Sequence, residues 1–133
     1  FNLPYHSVCT TSTHDMTPLR NWWKEDPEKT QRYYNHVLQR IGEAPDECTA
    51  EIVAQIISNH LKTRSMLTII PLQDWFDMDD SIKRKDIESE RINVPANSTH
   101  YWRYRMHITL EQLLQADNLN NKIVSLIKEA GRK

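Results

Sequence analysis

The chain has 133 residues, 38% of them apolar and 26% charged, with a formal net charge of -1 and a mean hydropathy of -0.71. That is the size of one ordinary domain, so residues 1–133 are expected to form a single compact unit with a core of its own and no second domain. Lys and Arg (17) nearly balance Asp and Glu (18), which gives no basic excess to favour nucleic acid, and no apolar run nears the ~20 residues needed to cross a bilayer. A cytoplasmic location is the expectation, with no nucleic acid and no membrane as partner. Cys9 and Cys48 stand apart without metal-type spacing and read as reduced, buried thiols.

The first element is the run Ser7-Val8-Cys9-Thr10-Thr11-Ser12-Thr13, rich in β-branched residues, which ends on His14-Asp15. A buried strand that carries an imidazole and a carboxylate to its C-terminal tip is how a parallel α/β enzyme presents catalytic groups. The competing reading is a solvated Asp15 capping the helix that opens at Thr17-Pro18-Leu19, since Asp and Thr ahead of Pro make a common helix start. A parallel strand so near Phe1 needs neighbours from crossover units of about 30 residues each. The chain holds too few of them for a closed sheet, and the expectation is that it is the tail of a longer polypeptide.

Three helices should follow. Leu19, Trp22 and Trp23 carry near-helical spacing over Thr17 to Asp26, which Pro27 breaks. Tyr33, Tyr34, Val37, Leu38 and Ile41 make an i, i+3, i+4 stripe from Glu28 to Ile41, with Gly42 as the stop. Tyrosines paired on such a stripe read as core packing before they read as a sugar platform. Ile52, Val53, Ile56, Ile57 and Leu61 give the strongest amphipathic pattern, over Ala50 to Thr63.

Ser65 to Ile70, closed by Pro71, reads as a second strand, fully buried and parallel to the first. A right-handed crossover would bring the tips of the two strands together, so Thr13-His14-Asp15 should lie near Leu72-Gln73-Asp74-Trp75. Asp77 to Glu90 is charge-dense and aperiodic. It lacks the glycine of a calcium loop and mixes cations among its acids, so it reads as a solvated surface loop. Aromatics and arginines then alternate from Tyr101 to Arg105, a pattern that suits stacking on sugars or bases, or cation-π packing beneath a loop. Two helices close the chain, Thr109 to Gln115 with a capping-box pattern and Asn120 to Ala130 before Gly131.

Thr13-His14-Asp15, Trp22-Trp23, Pro71-Leu72-Gln73-Asp74, and Arg91-Ile92-Asn93-Val94-Pro95 leading to Tyr101-Trp102-Arg103-Tyr104-Arg105 occur in this order along nearly the whole chain. In order and spacing they resemble the C-terminal end of the 4-alpha-glucanotransferases, the amylomaltases or disproportionating enzymes. Asn97-Ser98-Thr99-His100-Tyr101 and the charged stretch after Trp75 look more like the longer variant that acts on heteroglycans.

The resemblance implies an α/β fold, the C-terminal portion of a (β/α)8 TIM barrel, helix-rich as a fragment and supplying the last two strands. It implies retaining transfer of α-1,4-glucan segments, with no cofactor and no metal. Asp15 matches the family's transition-state-stabilising carboxylate, His14 the adjacent imidazole, and Asn93 a residue of its Arg-x-Asn loop near the glucan. Gln73 is a substrate-binding candidate from position alone. The nucleophile and the acid/base come from earlier strands in the family, so the isolated chain is expected to be inactive. Two other classes remain: a carbohydrate-binding module using Trp75, Tyr101, Trp102 and Tyr104, and a structural module that self-associates through open strand edges.

Overall fold

The computed structural model describes residues 2–133. Two short strands, β1 (Val8–Thr10) and β2 (Leu67–Ile69), pair in parallel with Val8 opposite Leu67 and Thr10 opposite Ile69. The chain between them forms helices α1 (Leu19–Glu25), α2 (Pro27–His36) and α3 (Ala50–Leu61). After β2 come α4 (Leu72–Phe76), a 3-10 turn at Glu88–Glu90, α5 (Leu110–Leu114) and α6 (Asp117–Glu129). The order strand, helices, strand matches the expected crossover.

The core forms where α3 meets its neighbours. Ile52, Val53, Ile56, Ile57 and Leu61 are all buried along one face of α3, and Trp23, Leu38, Cys48, Phe76, Met78 and Leu119 join them from other elements. Trp22 and Trp23 pack edge-on against Tyr33 and Tyr34, so the paired aromatics of α1 and α2 are core material. Cys9 and Cys48 are buried free thiols, and burial pushes the Cys48 thiol up out of its ordinary range.

Three expectations are corrected. The strands are not fully buried: Val8, Leu67 and Ile69 are 56%, 50% and 58% exposed, whereas Cys9 on the other face is 8% exposed. Helices cover one face of the pair, and no element covers the other among the described residues. Helix α2 stops at His36, short of Ile41. Gln39 turns the chain with φ 55°, which seats Leu38 in the core and leaves Ile41 in solvent.

The third correction concerns Asp77 to Glu90, which is not simply a solvated loop. Asp77, Met78, Asp79 and Glu90 are buried, and the acids among them have partners. Asp77 sits 3.1 Å from Arg20 Nη1. Asp79 accepts from the Ser81 N–H and from Asn118, and Glu90 lies 3.2 Å from Arg84 Nε. Paired charges can be buried where lone ones cannot, and composition does not reveal which charges find partners.

Candidate functional site

The strand β1 ends early because its hydroxyls turn back on the backbone: Thr10 Oγ1 donates to the Ser12 carbonyl over 2.6 Å. A turn closed by Met16 N to the Thr13 carbonyl at 3.0 Å then lifts His14 and Asp15 to the surface, with side chains 53% and 52% exposed. Asp15 caps no helix. The helix α1 begins after Pro18 without a side-chain cap of its own, and a distant carboxylate serves it. Asp74 Oδ1 accepts the Leu19 N–H at 3.2 Å, while Asp74 Oδ2 accepts from Thr11 Oγ1.

That carboxylate is fully buried and ties the end of β1, the start of α1 and the start of α4 into one support. Burial raises its pKa, against the pull of its two hydrogen bonds. The expected meeting of the strand tips is therefore present, with Leu72 to Phe76 as a helix and not a loop. The helical turn directs Gln73 inward. Gln73 is 4% exposed and its Nε2 donates to the Glu90 carbonyl at 3.2 Å. It lines a small crevice with Ser12, Thr13, His14 and Glu90, beneath the exposed groups and not among them.

Asn93 joins Asp15 directly. Its backbone N–H donates to the His14 carbonyl at 3.2 Å, and its Nδ2 donates to Asp15 Oδ1 at 2.6 Å. His14 Nε2 lies 3.4 Å from Asp15 Oδ2. Trp102, read from sequence only as one exposed aromatic among several, completes the group: its Nε1 donates to Asn93 Oδ1 at 3.0 Å, and its ring lies 5.1 Å from that of His14. The four side chains form a closed circuit, although 78 positions separate Asp15 from Asn93.

The support beneath this loop includes the cation-π packing that the alternation of aromatics and arginines suggests, but with Arg84, from outside that run, as its centre. Arg84 pairs with Glu90, donates to the Ser89 and Arg105 carbonyls and lies 5.5 Å over the Tyr104 ring. It thereby joins the two arms of the segment that carries Asn93 and Trp102. Arg20 donates to the Arg84 carbonyl at 2.8 Å and so anchors the same segment to α1.

Chemically, Asp15 carries the Asn93 amide on one oxygen and the His14 imidazole beside the other, with half of its side chain exposed, which suits hydrogen bonding to a polyhydroxyl ligand. The acids nearby are committed elsewhere: Asp74, Asp77 and Glu90 are buried, and burial raises the pKa of each. Retaining glycosyl transfer needs two carboxyl groups about 5 to 5.5 Å apart across the scissile bond; this cluster offers a single exposed one. Among the described residues no three His, Cys, Asp or Glu side chains group as a metal site requires, and no helix is long and apolar enough to cross a membrane.

The sequence profile of the 4-alpha-glucanotransferases, glycoside hydrolase family 77, matches residues 1–111. The chain belongs to this family. Among its 4-alpha-glucanotransferase relatives, the DPE2 protein of rice, Oryza sativa subsp. japonica, is 38% identical over 128 residues, which cover 96% of this chain and 14% of that protein. The 4-alpha-glucanotransferase of Chlamydia trachomatis serovar D is 30% identical over 123 residues, 90% of this chain and 22% of that protein. The chain thus spans less than a quarter of either relative.

The fold agrees. An amylomaltase from Streptococcus agalactiae, solved in complex with acarbose, superposes with a TM-score of 0.72 over 98% of this chain and 23% of its own, at 20% identity. The two parallel strands with their helices are a partial (β/α)8 barrel, helix-rich as expected. In a closed (β/α)8 barrel the helices form the outer ring and the opposite face of the strands lines the interior.

Proposed function

We propose that this chain forms part of a 4-alpha-glucanotransferase that transfers α-1,4-glucan segments by a retaining double displacement, and that its contribution is to stabilise the transition state. The observation that carries the reading is the exposed Asp15 carboxylate at a strand tip, braced by Asn93 at 2.6 Å with His14 at 3.4 Å, in a chain of this family. The acarbose bound to the streptococcal amylomaltase supports an oligosaccharide as the substrate class.

In such a reaction one carboxylate attacks the anomeric carbon while a carboxylic acid protonates the departing glycosidic oxygen. The covalent glycosyl intermediate then yields to an acceptor hydroxyl, whose proton returns to the same acid/base. Both of those groups lie outside this chain in the proposal. Asp15 accepts hydrogen bonds from ring hydroxyls of the distorted sugar, and these strengthen as positive charge develops on the ring. His14, half exposed beside it, donates to a hydroxyl of the same sugar, and Asn93 reaches the glucan from the opposite loop. Gln73 acts from below by holding the Glu90 carbonyl and with it the base of the Asn93 loop.

The test is glucose release from maltotriose. The isolated chain should release none, while the complete enzyme containing it should release glucose and lose that activity on Asp15→Ala. Turnover by the isolated chain that is itself abolished by Asp15→Asn would overturn the division of labour. A second reading is a module that self-associates through its open strand edges, favoured by the exposed apolar side chains of Val8, Leu67 and Ile69, which another copy can cover.

A further inference from the structure

Trp102 is 61% exposed, yet both its N–H and one side of its ring are engaged. An indole N–H can only donate, so the amide atom that faces it must be the oxygen of Asn93, at 3.0 Å. The two ends of a side-chain amide are not interchangeable. With Oδ1 turned to Trp102, Nδ2 is turned to Asp15 and donates over 2.6 Å. The reversed amide would set an N–H against an N–H at one end and a carbonyl against a carboxylate at the other.

The same indole lies against His14, ring to ring at 5.1 Å and 49°. It therefore touches the two groups that flank Asp15 from opposite sides. We propose that Trp102 is a positioning residue for the chemistry at Asp15: its N–H fixes the Asn93 amide in the orientation that donates to the carboxylate, and its ring holds the imidazole beside the second carboxylate oxygen. This inference rests on the role of Asp15 given above. Trp102 acts through Asn93 and His14, and its part is to keep one carboxylate oxygen occupied by a neutral donor while the other stays available to the sugar.

The variant Trp102→Phe keeps an aromatic ring, smaller than the indole, on the His14 side and removes the N–H that Asn93 accepts. In the complete enzyme it should lower kcat by roughly three- to tenfold, the worth of one hydrogen bond, and leave KM within about twofold. In an Asn93→Ala background the same change should have no further effect on kcat, because the bond it removes has no acceptor left; coupled residues fail to add in this way. Wild-type kcat in Trp102→Phe, or losses that multiply in the double variant, would overturn the inference. Asp15→Asn separates the two levels. If it cripples kcat while Trp102→Phe is unaffected, only the role of Trp102 falls; if Asp15→Asn keeps wild-type kcat, the reading of Asp15 falls and the inference with it.

Discussion

At the scale of single residues, the contrast between Asp15 and Asp74 shows how burial assigns different work to one kind of side chain. Asp15 is exposed and open to a ligand. Asp74 is fully buried, and it secures the Leu19 N–H and the Thr11 hydroxyl. Removing a buried acceptor leaves its donors without partners, at about 1–3 kcal/mol for each group. Asp74→Ala should therefore cost about 2–5 kcal/mol of stability in chemical denaturation, and Asp74→Asn, which keeps an acceptor for Leu19, less than half as much.

His14, Asp15 and Asn93 were singled out because their types and order carry the family resemblance, and the structure brings the three side chains together. Trp102 belongs to the same resemblance and reads as an exposed aromatic, but nothing in spacing says that its N–H meets Asn93. Asp74 was placed near the right strand tip, but its two partners lie 55 and 63 positions away, beyond any local pattern.

The second buried acid, Asp77, makes a prediction about pH. Burial pushes its carboxyl up to about 7, although Arg20 beside it pulls the other way. The ordinary carboxylate value is about 3.9. Between those values the folded state keeps a proton that the unfolded chain releases. The contribution of this group is thus fully present below about pH 4 and is lost as the pH rises through about 7. The urea midpoint of the wild type should fall more steeply from pH 5 to pH 8 than that of Asp77→Asn; equal slopes in the two proteins would contradict the assignment.

At the scale of elements, local signals read well where the helix is governed by its own sequence. Thr109 and Gln112 form the reciprocal capping box at the start of α5, and Thr49 accepts the Ile52 N–H at the start of α3. Loss of the Thr109 cap should cost about 1 kcal/mol, measurable as a small drop in the unfolding midpoint of Thr109→Ala. The pattern failed where tertiary packing overrode it. The apolar stripe of α2 runs on to Ile41, yet the helix ends at His36 and the turn through Gln39 seats Leu38 in the core. Likewise the charged run after Trp75 looks soluble residue by residue. Its burial follows from Arg20 and Arg84, which the sequence does not pair with Asp77 and Glu90.

At the scale of the whole molecule, a parallel strand pair is covered by helices on one face and, among the described residues, bare on the other. Val8, Met66, Leu67 and Ile69 are each at least half exposed, and open parallel edges with apolar side chains invite further pairing. The isolated chain should therefore gain mass with concentration in analytical ultracentrifugation, and a charge placed at Leu67 or Ile69 should suppress that gain. A monomer at every concentration would remove the self-associating reading. The barrel-like order of elements was legible from the two apolar runs and the helices between them. The bare face was not, because a run such as Leu67-Thr68-Ile69-Ile70 looks the same whether both of its faces are covered or one.

In the proposed role Asp15 acts on the transition state and not on binding of the ground-state glucan. Steady-state kinetics of Asp15→Asn in the complete enzyme, with maltotriose as donor and acceptor, test it most directly. The kcat should fall by on the order of 10²- to 10³-fold, as for loss of one transition-state contact, with KM changed by less than about threefold. A variant that keeps wild-type kcat and shows only a raised KM would contradict it.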